Sequence, residues 1–136
     1  MKTLARVAGG LVGFVSVLAA AVWIASESGE VVVLTTRDAD LKPHQTRLWV
    51  VDHDGHAWLR AGGDVQSWYR RLVERPGVEV ERGGTTSSFT AVPAPASRDL
   101  VNALMLDKYG WADQWIGLLF GRDGAVPIRL DPPDGG

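Results

Sequence analysis

Hydrophobic and polar positions divide this chain into two parts with different patterns. From Val7 to Ala25, nineteen residues pass without a charge, and Ser16 is the only hydroxyl among them. At about 1.5 Å per residue, a helix of that run reaches about 28 Å, close to the hydrocarbon thickness of a bilayer. Beyond it the pattern changes to short alternating stretches. Val31–Thr36 is β-branched and predicts a strand, Gln45–Asp52 a second and His56–Ala61 a third. Asp54-Gly55 between the last two is a hairpin signal, because a two-residue turn needs positive φ at both centres. A helix is predicted over Val65–Arg75, capped by Asp64 and stopped by Pro76-Gly77. Val78–Arg82 and Thr85–Val92 alternate on either side of Gly83-Gly84, which predicts another hairpin. After Pro93 and Pro95, Ser97 is expected to cap a helix ending at Tyr109. Leu100, Ala103, Leu104 and Met105 are expected on its buried side, with Gly110 at its exit. A short helix over Trp111–Leu119 and a strand over Val126–Leu130 complete the pattern. This order predicts an antiparallel sheet with helices packed on it, an α+β fold.

The hairpin turn also predicts a register. His53 falls opposite His56, Val51 opposite Trp58, Trp49 opposite Arg60 and Arg47 opposite Gly62. One face then carries Leu48, Val50, Ala57, Leu59 and Ala61, an aliphatic set. The other carries two arginines and two tryptophans among cross-strand neighbours. Indoles stack and guanidinium groups fork onto carboxylate or phosphate, so such a face suits a planar anionic ligand. It equally suits a partner surface on which each arginine stacks over its tryptophan. Gly62-Gly63 lets a ligand approach the backbone, and the helix start beside Ser67, Trp68 and Tyr69 offers N–H groups to an anion. Arg70 and Arg71 add positive charge there.

Charge and composition narrow the field. Fourteen Lys and Arg against 16 Asp and Glu give a net charge of −2 over 136 residues. No basic field is present of the kind that draws a protein to nucleic acid, and none is expected as a partner. The length fits one folded domain. Without cysteine there are no disulfides, thiolate metal sites or cysteine nucleophiles. Lys2 and Arg6 precede the apolar run, whereas Glu27 and Glu30 follow it and Arg37 is the first cation beyond. Positive charge resists translocation, so the N-terminus is expected in the cytoplasm and the domain on the outer, periplasmic or extracellular, side. Ala19-Ala20-Ala21 would allow cleavage as a secretory signal, but the run exceeds the signal core of roughly 7–15 residues, which favours a single-pass anchor. Residues 1–26 are thus expected to be the anchor, 27–131 the folded domain and 132–136 a disordered tail.

His44, Asp52, His53, Asp54 and His56 gather around one hairpin, yet turn chemistry already accounts for Asp54-Gly55, and no metal site is expected. No phosphate loop, dinucleotide fingerprint or nucleophile elbow is present. No residue is singled out as catalytic, although Tyr69 and Tyr109 are potential proton donors.

Several segments together resemble a known family. These are Val31–Thr36, Thr46-Arg47-Leu48-Trp49, Arg60-Ala61-Gly62-Gly63, Ser67-Trp68-Tyr69-Arg70-Arg71-Leu72, Lys108–Asp113 and Val126–Leu130. Their order and spacing are similar to the split β-barrel flavoproteins, above all the deazaflavin-dependent nitroreductase family, over roughly residues 30–131. The resemblance implies a six-stranded antiparallel split barrel, usually dimeric, with FMN or a deazaflavin on its outer face and a small electron-accepting substrate. It would set Thr46, Arg47, Leu48 and Trp49 along the isoalloxazine, and Arg60, Ala61 and Gly62 against the ring or ribityl chain. Ser67, Trp68, Tyr69 and Arg71 would lie towards the phosphate. Replacing Arg60 by alanine is then expected to weaken cofactor binding while leaving the melting temperature nearly unchanged. One departure stands out. The basic Gly-Arg-x-Ser-Gly turn of the family is replaced by Arg37-Asp38-Ala39-Asp40-Leu41-Lys42, whose carboxylates repel phosphate. It favours the alternative of a non-catalytic binding or interaction domain on the same barrel.

Overall fold

The structure is a computed structural model and describes residues 12–20 and 29–133. Its seven strands are β1 (Val31–Arg37), β2 (Pro43–Trp49), β3 (Val51–His53), β4 (His56–Ala61), β5 (Gly77–Arg82), β6 (Thr85–Pro93) and β7 (Val126–Asp131). Within residues 29–133 the helices are α1 (Ser67–Glu74), α2 (Arg98–Tyr109), entered through a 3-10 turn at Pro95–Ser97, and α3 (Trp111–Phe120). All neighbouring strands are antiparallel, in the order β2-β1-β5-β6-β7-β4-β3. The α+β class is as the pattern predicts. The sheet has seven strands instead of six, because the run read as one strand over Gln45–Asp52 breaks at Val50.

That break corrects the register. Asp54 and Gly55 have φ of 53° and 78°, as the turn requires. His53 pairs with His56 and Val51 with Trp58. The pairing then stops: Trp49 lies opposite Val31 and Arg47 opposite Val33, while Arg60 lies opposite Pro127. By turning away at Val50, β2 gains a ladder along the whole of β1, and β4 gains one along β7. A longer local hairpin would forfeit both. The same break closes the fold. β2 and β3 form opposite edges of the sheet, yet Val50 alone separates them in sequence. Consecutive Cα atoms are 3.8 Å apart, so the sheet must curl until its edges meet.

Inside the curl lie Val32, Leu34, Leu59, Ile128 and Leu130 with Trp68 and Leu72 of α1. The strands alternate as expected, and the aliphatic set of the hairpin is buried or packed on this core. A second cluster joins Val51 and Trp58 to Val101, Met105 and Tyr109 of α2. The buried stripe of α2 is therefore i, i+4, i+8 from Val101. Of the expected side, Met105 is buried and Leu104 packs partly, but Leu100 and Ala103 are exposed. Ser97 makes no capping bond. Nor does Asp64: α1 begins only at Ser67, and Gln66 before it turns its side chain back to accept the Gly62 N–H at 2.9 Å.

Val50 belongs to no ladder, so its buried backbone groups need other partners. Its N–H donates to the Tyr109 hydroxyl at 3.0 Å, and its carbonyl accepts from Lys108 Nζ at 2.8 Å. The Tyr109 hydroxyl also lies 2.6 Å from the Glu30 carbonyl. The Glu30 carboxylate bonds Lys108 Nζ at 2.7 Å and Arg82 at 2.9 Å, and Arg82 forks onto Asp52. Arg82 first, then Lys108, lowers the Glu30 pKa from 4.5 to about 2. The folded state thus binds fewer protons than the unfolded chain, and stability rises with pH. The contribution is complete above about pH 4.5 and is lost as pH falls towards about 2. The side chain is 38% exposed, and solvent screening reduces it to about 1 kcal/mol. Glu30→Gln is expected to lose that amount in urea unfolding at pH 7, with the gap to the parent narrowing as pH falls from about 4.5 towards about 2.

The segment expected to span a membrane lies mostly outside the described residues. Residues 12–20 of it are helical, and among the described residues no helix is long and apolar enough to cross a bilayer. Of the expected tail, residues 134–136 lie outside the described residues.

Candidate functional site

Where β2 diverges from β4, a cavity of about 290 Å³ opens between them. β2 contributes Arg47, Leu48 and Trp49, and β4 contributes Arg60. Gly62 and Gln66 form its floor before α1, while Met105, Ile116, Phe120 and Arg122 close it from the helical side. The Trp49 indole stacks on Tyr109, with ring centres 4.3 Å apart and planes 6° from parallel, which fixes its orientation.

Three guanidinium groups line this space, and the carboxylate that bonds two of them stands behind it. Asp113 of α3 accepts from Arg60 Nη2 and from Arg122 Nη2, each at 2.5 Å. Arg60 also donates to Asn102 Oδ1 at 3.2 Å. The side chains of Arg60 and Asp113 are each only 6% exposed. Burial lowers the Arg60 pKa and the Asp113 bond opposes it, so the group remains a cation. Arg47 lines the same cavity from β2, so three guanidinium groups face it from two strands and the segment after α3. Arg122 Nε is buried with no hydrogen-bond partner among the described residues. A buried donor of this kind is stabilised by an acceptor entering the cavity. With Leu48, Met105, Ile116 and Phe120 as an apolar wall, the arrangement fits a flat ligand that carries negative charge.

The expected site residues thus separate into two groups. Arg47, Leu48, Trp49, Arg60 and Gly62 meet at the cavity, although not as cross-strand neighbours. Thr46, Ala61, Ser67, Trp68, Tyr69 and Arg71 do not line it. Ala61 points into the barrel because successive strand residues face opposite ways, which leaves only its backbone near a ligand. Trp68 is core, Tyr69 packs against the core, Ser67 is exposed, and Arg71 Nε donates to buried Thr36 at 2.8 Å. Trp58 is sealed beneath α2, so the expected exterior face of two arginines and two tryptophans does not form.

Around the first hairpin, His44 bonds Asp38 and His56 bonds Asp131. No group of three or more His, Asp or Glu able to hold a metal occurs among the described residues. The Asp38 carboxylate closes its own turn by accepting from the N–H groups of Asp40 and Lys42.

Sequence reasoning missed Gln66, Asp113, Ile116, Phe120 and Arg122. Asp113 had a signal: it is the only charge in Trp111–Phe120, and a carboxylate on so apolar a helix needs a buried partner.

No protein-family model matches the chain, and no curated protein matches it in sequence. Solved structures do resemble it. The heme storage protein HutZ from Vibrio cholerae is 19% identical, with a TM-score of 0.60 over 82% of this chain and 87% of that one. An F420-H2 dependent reductase is 24% identical, with a TM-score of 0.56 over 73% and 92%. A chain forming a domain-swapped dimer is 20% identical, with a TM-score of 0.57 over 74% and 79%. Proteins named for heme storage and for F420-H2 dependent reduction share one architecture, so ligand identity rests on the cavity and not on the fold. The chain therefore has the split β-barrel fold that these structures share.

Proposed function

We propose that the domain is an oxidoreductase that binds FMN or a deazaflavin in this cavity and passes a hydride to a small electron-accepting substrate. The observation that carries the reading is the meeting of Arg47, Arg60 and Arg122, with a buried unpaired Arg122 Nε, beside a fixed indole and an apolar wall. Arg47 and Arg122 would hold the anionic groups of the cofactor, Trp49 and Phe120 would border its ring, and Gly62 would admit it close to the backbone. When bound, the cofactor supplies the hydride chemistry. The chain's own residues supply orientation and charge. Asp113 and Asn102 hold Arg60 in one place, so its field is set before a ligand arrives. Leu48, Met105 and Ile116 exclude water from one side. Residues 7–25 would anchor the chain, with the N-terminus in the cytoplasm and the domain outside. A homodimer, which the resemblance implies, is supported by the domain-swapped structural neighbour.

A second reading, a non-catalytic binding domain, is favoured by the Arg37–Lys42 turn. Asp38 and Asp40 stand there in place of the family's phosphate-holding residues, and Asp38 is committed to closing the turn.

Titrating FMN and a deazaflavin separately into the full chain, with visible absorbance as the signal, decides between them. A saturable spectral change with one of the two is expected. Arg47→Ala is expected to weaken it about tenfold while leaving the melting temperature nearly unchanged, since Arg47 is an exposed residue of the edge strand. No saturable change with either cofactor would remove the oxidoreductase reading and leave the binding domain.

A further inference from the structure

Helix α3 turns an apolar stripe to solvent. Trp111 is 61% exposed and Leu118 80% exposed. At about 100° per residue they fall on one side of the helix together with Leu119 and half-buried Trp115. Asp113 lies on the opposite side, bonded to Arg60 and Arg122. A stripe of two indoles and two leucines is a surface that a water-facing helix does not ordinarily carry.

The chain's connectivity indicates what covers it. The uncharged run ends at Ala25, and by Gly29 the chain is already fixed against α2. Gly29 has φ of 74°, and a Cβ there would come within 3.0 Å of the Tyr109 ring. The next residue, Glu30, takes the Tyr109 hydroxyl on its carbonyl and Lys108 on its carboxylate. From Ala25 to Gly29 are four residue steps, at most about 14 Å of extended chain. Tyr109 is separated from Trp111 by Gly110 alone. The exposed helix therefore starts at the foot of the tether, and a tether so short keeps that end of it close to a bilayer that holds residues 7–25. Tryptophan and leucine are residues that bury well at the boundary between headgroups and acyl chains.

Resting on the anchored reading above, we propose that α3 lies on the bilayer surface, with Trp111, Leu118 and Leu119 in the interface. The occupant of this face is lipid and not a second copy of the chain. Phe120 and Ile116 of the same helix line the cavity, so docking sets the cavity wall one helix away from lipid.

The chain has no cysteine, so Leu118→Cys provides a single attachment point for an environment-sensitive fluorophore. The labelled full chain is reconstituted in phosphatidylcholine–phosphatidylglycerol vesicles, with Thr86→Cys, on exposed β6, as the reference. The label at 118 is expected to emit further to the blue than the label at 86, and to lose intensity to lipids brominated near the headgroup. Flotation of the vesicles after an alkaline wash reads the anchor independently. A chain that floats while its label at 118 stays in water overturns the docking and leaves the anchor standing. A chain that does not float overturns both. Shielding that appears only at many chains per vesicle, without quenching by brominated lipid, assigns the face to a second copy and overturns the proposal. Trp111→Cys gives the same measurement at the other end of the stripe, so the folding of one labelled variant does not decide the result.

Discussion

Replacing Asp113 by alanine is expected to lower the stability of the domain by about 3–5 kcal/mol, the cost of breaking a buried ion pair by removing one partner. The carboxylate is almost fully buried and is shared by two guanidinium groups. Without it, Arg60 keeps one bond, to Asn102, and remains a buried cation. Arg122 is more exposed and can turn partly to solvent, so most of the loss arises at Arg60. The reverse truncation, Arg60→Ala, is expected to cost less, about 1.5–3 kcal/mol, because Asp113 retains Arg122. This corrects the sequence-based expectation that Arg60→Ala would leave melting nearly unchanged. The double variant Asp113→Leu with Arg60→Met removes both charges and keeps the volume, and is expected to recover most of the loss. Urea unfolding of the three variants against the parent checks the ordering. A loss below about 1 kcal/mol for Asp113→Ala would mean that Arg60 regains water in the folded state.

The ordering also explains which parts of the site were legible. Asp54-Gly55 dictates a turn locally, so the turn and the first pairs beyond it, Val51 with Trp58, follow from sequence. The pairing of Trp49 and Arg47 depends on β1, and that of Arg60 on β7, some seventy residues away. No local rule weighs a long ladder elsewhere against a longer hairpin. Arg47, Trp49 and Arg60 were recognisable because their chemistry is unusual on a strand, and they do meet. They meet because the strands part around a cavity that α3 and Arg122 complete, which the pairing pattern does not contain.

Helix α1 illustrates a different balance. Its start, beside Ser67, Trp68 and Tyr69, suggests a place for an anion, from the free N–H groups of a helix end. Trp68 and Leu72 are one turn apart, however, and that i, i+4 stripe is what the barrel buries. In so short a helix the apolar stripe sets the orientation, and the polar groups take what remains.

At the seam, Tyr109 is expected to be worth more than its ring. Val50 sits between the two sheet edges, where no strand can supply its hydrogen bonds, and the Tyr109 hydroxyl stands in for the missing ladder. Tyr109→Phe keeps the stack on Trp49 and the packing against Trp58 and Met105 but leaves the buried Val50 N–H unpaired, a cost of about 1–3 kcal/mol. Tyr109→Ala also removes the ring and leaves a cavity, for about 3–5 kcal/mol. Since the same ring packs against Gly29 and orients Trp49, the alanine variant is expected to loosen the tether junction and the cavity wall together. Amide exchange separates the two roles. In the phenylalanine variant the Val50 amide should exchange much faster while the β1–β2 ladder stays protected. In the alanine variant protection should also fall along β2. Equal protection of the Val50 amide in parent and Tyr109→Phe would show that water, and not the hydroxyl, completes the seam.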